Sequence, residues 1–150
     1  MKQIPFRIVD IKVEKFELTN TSFSYEEKVE VRTGFEFGVN VDKHVVQCRA
    51  TYIYLQRSKE LLNLVLTSFF DVKPEEFVGL LNENSFIIEP YFSQYLATIN
   101  VGAARGEIHA RCEIQESPLA NVILPPINLT QVLNSNIEII LQNQQVANAD

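Results

Sequence analysis

The sequence is short of positive charge. Lys and Arg number 13 against 19 Asp and Glu, a formal net charge of −6. Nucleic acids and anionic lipid surfaces want a basic face, so neither is expected as a partner. Long apolar runs are missing too. No window approaches the roughly 18 residues of a membrane helix, so no membrane insertion is expected. The opening stretch MKQIPFRIVD has no apolar segment of signal-peptide length, and its acid comes early. The expectation is a cytoplasmic protein. Cysteine is scarce: Cys48 and Cys112 stand far apart, too few for a disulfide framework. They read as packed thiols in a reduced compartment.

Histidine is equally rare, and His44 and His109 with the two cysteines make a Cys2His2 set only on paper. Four residues along a strand span about 13 Å, so His44 and Cys48 cannot grip one ion there. His109 and Cys112 could share a helix face, but two ligands do not make a structural site. No metal is expected. There is no nucleophile elbow and no phosphate-cradling glycine loop. Neither histidine sits in a nucleophile motif. The pair Glu75-Glu76 is explained by the dipole of a helix start. No catalytic residue and no cofactor is nominated, and the chain reads as a non-enzyme.

What is present is an ordinary globular composition, 46% apolar and 21% charged, with ten Phe and five Tyr. A length of 150 residues suggests one domain over 1–150, with a polar, flexible tail at 143–150. The first half reads as strands. In Phe6–Leu18 the apolar parity changes between Val13 and Phe16, which predicts a bulge near Lys15. Val29, Val31, Phe35, Phe37, Val39 and Val41 alternate with polar residues, a long half-buried strand. Val41–His44 reads as a tight turn and Val45–Leu55 as the next strand. After a charged turn, Leu61–Val72 is apolar on both parities, the mark of a strand covered on both faces.

The second half changes period. Pro74–Leu81 predicts a short helix with Pro at its start, and Asn82–Ser85 a loop. From Pro90, residues Tyr91, Phe92, Tyr95, Leu96, Ile99, Ala103, Gly106 and Ala110 recur at helical spacing, so a long helix runs to about Cys112. Gly102 and Gly106 permit a close approach, either of the sheet or of another helix. Asn128 with Gln131 reads as a capping box opening a final helix, although NIEIIL is also compatible with a strand. The fold class expected is α+β: a four-stranded antiparallel sheet, then a long helix and a shorter C-terminal helix. One long helix and a short one cannot cover both faces of such a sheet. Either the chain oligomerises or it keeps an apolar groove.

The stretch Ile123-Leu-Pro-Pro-Ile-Asn-Leu129 resembles the proline-containing segment that precedes the last helix in SecB-type protein-export chaperones. Pro90-Tyr91 is similar to the start of that family's long helix, and Thr21-Ser22-Phe23 to its first-strand motif. The resemblance implies an ATP-independent holdase for protein export. It implies a homo-oligomer built as a dimer of dimers, with sheets joined between subunits and unfolded polypeptide clients lying extended in apolar grooves. By position, the groove candidates are Phe23, Tyr25, Phe35, Phe37, Tyr52, Tyr54, Phe69, Phe86, Phe92 and Leu96. The oligomer-interface candidates are Ile99, Ala103, Gly106 and Ala110. The family docks the translocation motor through acids, whereas the matching positions here are Asn20, Ser24 and Asn63. That sets motor docking in doubt; the cluster Glu26, Glu27 and Glu30 is read as a solvated loop. Relatives of the family also serve toxin–antitoxin systems, the main alternative. A small-molecule or lipid-binding α+β module is another, and a structural oligomer without clients a third.

Overall fold

The structure is a computed structural model that describes residues 4–19 and 23–141. Thr21 and Ser22 of the first-strand motif, Asn20 and the tail 143–150 lie outside the described residues. Four strands come first: β1 (Phe6–Leu18), β2 (Glu30–Asn40), β3 (Val45–Gln56) and β4 (Lys59–Val72). They pair antiparallel in the order β1-β4-β3-β2, which leaves β1 and β2 as the edges. Between β3 and β4 only Arg57 and Ser58 turn the chain, both left-handed with φ of 49° and 66°. Such a two-residue turn matches the right-handed twist of the strands it joins. The register of β1 on β4 slips between Val13 and Lys15, where the parity change predicts it, and again between Ile8 and Asp10.

After the sheet come α1 (Pro74–Val78), β5 (Leu81–Asn82), β6 (Ser85–Ile88) and the long helix α2 (Pro90–Ile114). Helix α2 lies across one face of the sheet. It buries Phe92, Leu96, Ala97, Val101, Ala104, Ile108 and Cys112, spaced by three and four residues. Below them lie Val46, Cys48, Ala50, Tyr52 and Tyr54 of β3 and Leu62, Leu64, Leu66 and Phe70 of β4, all enclosed. Each fully buried large side chain contributes about 1.5–3 kcal/mol of transfer free energy.

A polar residue of α2 anchors this layer. Asn100 is wholly buried, and its Oδ1 accepts from the Tyr52 hydroxyl at 2.6 Å. Its Nδ2 donates to the Cys48 and Leu66 carbonyls and to Ser68 Oγ, at 3.0, 3.2 and 2.9 Å. These bonds tie α2 to β3 and β4 at one register.

Three expectations change. Asn82–Ser85 is not a loop: it is the turn of a hairpin between β5 and β6, with Glu83 left-handed at φ 45°. The last helix, α3 (Leu129–Val132), is a single turn, and Ile137–Ile140 is a strand, β7, paired with β6. Ile137 and Ile139 face inward while Glu138 and Ile140 face out, so period two prevails. The capping box does not form. Asn128 makes no cap bond, and its Oδ1 accepts from Thr130 Oγ1 at 2.6 Å instead. Strands β5, β6 and β7 form a second, smaller sheet.

The second face of β4 is covered by side chains rather than by another element. Val65 is only 5% exposed and Thr67 2%. Over this face Arg49 of β3 donates to Glu14 of β1 at 3.0 Å and to Glu36 of β2 at 2.7 Å, and Thr67 Oγ1 donates to Glu14. Glu14 is the extra residue of the β1 bulge, so the slip in register aims its carboxylate into this row. Lys12 covers Phe69, with its ammonium 5.6 Å from the ring centre.

Candidate functional site

Helix α2 sits over β3 and β4 and leaves β2 without a helix above it. The inward row of β2, Val31, Thr33, Phe35, Phe37 and Val39, is therefore only half-buried. Its outer backbone edge has no strand partner among the described residues. At one end of this strip lie Ile137 and Ile139 of β7 and Leu129 of α3, which join Phe37 and Val39 around one core cluster. At the other end lie Phe23 and Val29, with Val122, Ile127 and Ala120 of the segment between α2 and α3, around a second cluster. The result is an apolar strip along a free strand edge, walled by two irregular segments.

Side chains hold those segments through backbone atoms. Arg105 of α2 donates to the Leu124 carbonyl at 2.7 Å and the Pro125 carbonyl at 3.2 Å. The Tyr54 hydroxyl donates to the Val122 carbonyl at 3.1 Å, and His109 Nδ1 is 3.0 Å from the Ala120 carbonyl. Proline at 125 and 126 has no N–H and keeps this stretch extended and out of α3. At the same end of the strip Gln56 holds the loop after β1.

The expected groove residues divide. Phe23, Tyr25, Phe35 and Phe37 share the β2 side. Phe23 and Tyr25 meet edge-on with ring centres 4.9 Å apart, and Tyr25 is 83% exposed. Phe35 meets Tyr52 edge-on at 6.3 Å. Tyr52, Tyr54, Phe86, Phe92 and Leu96 are enclosed in the core, so in this conformation they present no surface to a partner. The reason is α2, which roofs that part of the sheet, and Phe77 of α1, which packs on Phe86 at 4.7 Å. Phe69 lies on the opposite face beneath Lys12. Val31 and Val39 share the parity of Phe35 and Phe37 and complete the strip. Gln56 and Arg105 act through backbone atoms and carry no signal in the sequence.

The interface candidates lie on the outer side of α2. Gly106 and Ala110 are exposed, while Ile99 and Ala103 are half-buried. A Cβ at Gly102 or Gly106 would meet nothing within 4 Å, so neither glycine serves the packing of α2 on its own sheet. Exposed Tyr95 continues this face to Phe6 at 5.4 Å, and on β1 to exposed Ile8 and Ile11.

Among the described residues no three His, Cys, Asp or Glu side chains could hold a metal ion. His44 packs edge-on against Phe77 at 5.2 Å. Burial pushes the Cys48 thiol up to about 12 and the Cys112 thiol to about 11, so both stay protonated and unreactive. An open hollow of about 290 Å³ lies away from the strip, lined by Pro5, Phe6, Arg7, Asp71, Lys73 and Pro74. None of the described helices is long and apolar enough to cross a membrane.

Neither a family model nor a curated protein sequence matches the chain. Among solved structures it is similar to the Mycobacterium tuberculosis Rv1957 SecB-like chaperone, determined in complex with a ChAD peptide from the Rv1956 HigA1 antitoxin. The identity is 12% and the TM-score 0.52, over 82% of this chain and 91% of that one. The α+β fold, with its four-stranded antiparallel sheet, long helix and shorter helices, is thus SecB-like.

Proposed function

We propose that this single-domain chain is an ATP-independent holdase that keeps unfolded polypeptide clients extended along the β2 edge. The carrying observation is the half-buried apolar row of β2 beside a strand edge that no described residue pairs. An extended client can add main-chain hydrogen bonds to such an edge and place alternate side chains on Phe35, Phe37 and Val31. Phe23 and Tyr25 flank the mouth. The chain is read as a non-enzyme that needs no cofactor and works in the cytoplasm. The test is a slow-folding, chemically unfolded client diluted into the protein at stoichiometric ratio. The holdase delays refolding and suppresses light scattering; a client that refolds and aggregates at its unassisted rate refutes the reading.

A dedicated client, such as an aggregation-prone antitoxin, is favoured over delivery of precursors to an export motor. Two observations support this. The fold neighbour carries an antitoxin peptide. The acids named on the open sheet face are each engaged by a base: Arg7 pairs with Asp71, Lys15 with Glu17, Arg32 with Glu30, and Arg49 with both Glu14 and Glu36. Ser24 is fixed by Gln56 and Asn63 is buried, so neither offers a motor-docking charge. Binding of the purified translocation motor at low ionic strength would overturn this choice.

The assembly is proposed to be a dimer of dimers. The patch formed by Ile8, Ile11, Tyr95, Ile99 and the small residues of α2 is apolar and open, as a self-association surface requires. A monomeric mass by light scattering at micromolar concentration is the contrary result.

A further inference from the structure

Gln56, the last residue of β3, is 3% exposed, yet both of its polar atoms are engaged. Its Oε1 accepts from the Ser24 N–H at 2.9 Å. Its Nε2 donates to the Ser24 carbonyl at 2.8 Å and to the Glu27 carbonyl at 2.9 Å. Bonding the N–H and the C=O of one residue is what a neighbouring strand does in an antiparallel ladder. Here a side chain does it for a loop that has no strand partner at that point. Arg57 follows and pairs with Glu27 at 2.9 Å, from the left-handed turn that fixes where the hairpin ends. Within this clamped stretch the direct neighbour of Ser24 is Phe23, which packs with Val29 against the cluster containing Tyr54 and Leu119.

We propose that Gln56 is the positioning residue for the near wall of the client groove. It touches no client. It holds the Ser24 and Glu27 backbone so that Phe23 and Val29 pack beside the β2 strip, around the same cluster as Val122 and Ile127 of the segment that Arg105 and Tyr54 hold. The sheet itself does not depend on it, because its bonds go to the loop and not to the β3–β4 ladder. The inference rests on the holdase reading and gives that site its specificity: a wall of fixed position selects clients by the width of side chain that fits beside Phe23.

The experiment uses the full chain with the same unfolded client and reads client release by stopped-flow dilution. Gln56→Met keeps the size and removes all three bonds. Release is expected to quicken about tenfold, the effect of roughly two uncharged hydrogen bonds. Exchange of the Ser24 amide proton should quicken in the free protein while the unfolding midpoint barely moves. In a Phe23→Ala background the same substitution should change release by less than about twofold, since coupled residues are not additive. Release at the wild-type rate overturns the proposal, and so does an undiminished effect in the Phe23→Ala background. Should Gln56→Met not fold, Gln56→Asn, which keeps the amide but shortens its reach, is read against the same outcomes. A wild type that holds no client sinks the holdase reading instead, and Ser24 exchange still decides whether Gln56 fixes the loop.

Discussion

Replacing Tyr52 and Asn100 together should cost well short of the sum of the two single replacements. Burial pushes the Tyr52 phenol well above its ordinary range, so at neutral pH it is the donor to Asn100 Oδ1. Tyr52→Phe leaves that oxygen without its partner in a dry layer, a cost of about 1–3 kcal/mol. Asn100→Leu orphans the Tyr52 hydroxyl for a similar cost and also forfeits the bonds to the Cys48 and Leu66 carbonyls, for about 2–4 kcal/mol in all. In the double variant no side-chain group is orphaned in that pair. Its cost should fall short of the sum by about 1–3 kcal/mol, within the range measured for residues in contact. Urea unfolding at fixed protomer concentration measures this. With a slope of about 1–3 kcal/mol per molar urea, a loss of 2 kcal/mol moves the midpoint by about 1 M. Additive costs would falsify the claim that this hydrogen bond couples α2 to the sheet.

Phe35→Ala with Phe37→Ala should weaken client holding by about tenfold or more, given roughly 1.5–3 kcal/mol per buried ring, whereas Phe69→Ala on the other face should leave it unchanged. Equal losses from both would move the site. Gly106→Arg should lower the mass seen by light scattering without destabilising the protomer, since the position is open and Arg favours the helix by about 1 kcal/mol over Gly; an unchanged mass would exonerate the outer side of α2. The Thr67 hydroxyl and then Arg49 hold the Glu14 carboxyl below its usual range. Its contribution is therefore present above the ordinary carboxylate pKa and lost as pH falls through the lower, folded value. Glu14→Gln should flatten that acid limb of the stability curve, by less than about 1 kcal/mol because solvent screens the pair; an acid limb identical to wild type would count against the row. Cys48 and Cys112 should react with a thiol reagent only as fast as the chain unfolds, and rapid native labelling would contradict their burial.

Some of this was legible before any coordinates. The Val13-to-Phe16 parity change located the bulge near Lys15, and the three- and four-residue spacing after Pro90 located α2. Phe35 and Phe37 share a parity, so their common face was readable as well. The rest depends on where α2 comes to lie. Tyr52, Tyr54, Phe92 and Leu96 are as apolar as the strip residues, and only the helix above β3 and β4 separates core from surface. Phe69 and Phe70 are adjacent on a strand that is apolar on both parities, so neither composition nor period assigns them a face. Ile137–Ile140 is too short for period alone to decide between helix and strand; its partner β6 decides it. Hydrogen bonds from Gln56 and Arg105 to main-chain atoms leave no trace in residue order.

The two edges of the sheet differ in a way that bears on self-propagation. Along β2 the pairing with β3 runs from Glu30 to Asn40 without a slip. Along β1 it breaks twice, so its outer side offers no long straight template. A bulged edge resists the addition of further strands. On the holdase reading proposed above, a strand edge offered to unfolded chains runs the risk of seeding the growth that binding would prevent. With one unbroken edge and one broken one, strand addition is directed to the β2 side, and the sheet does not offer two equivalent edges from which to be extended.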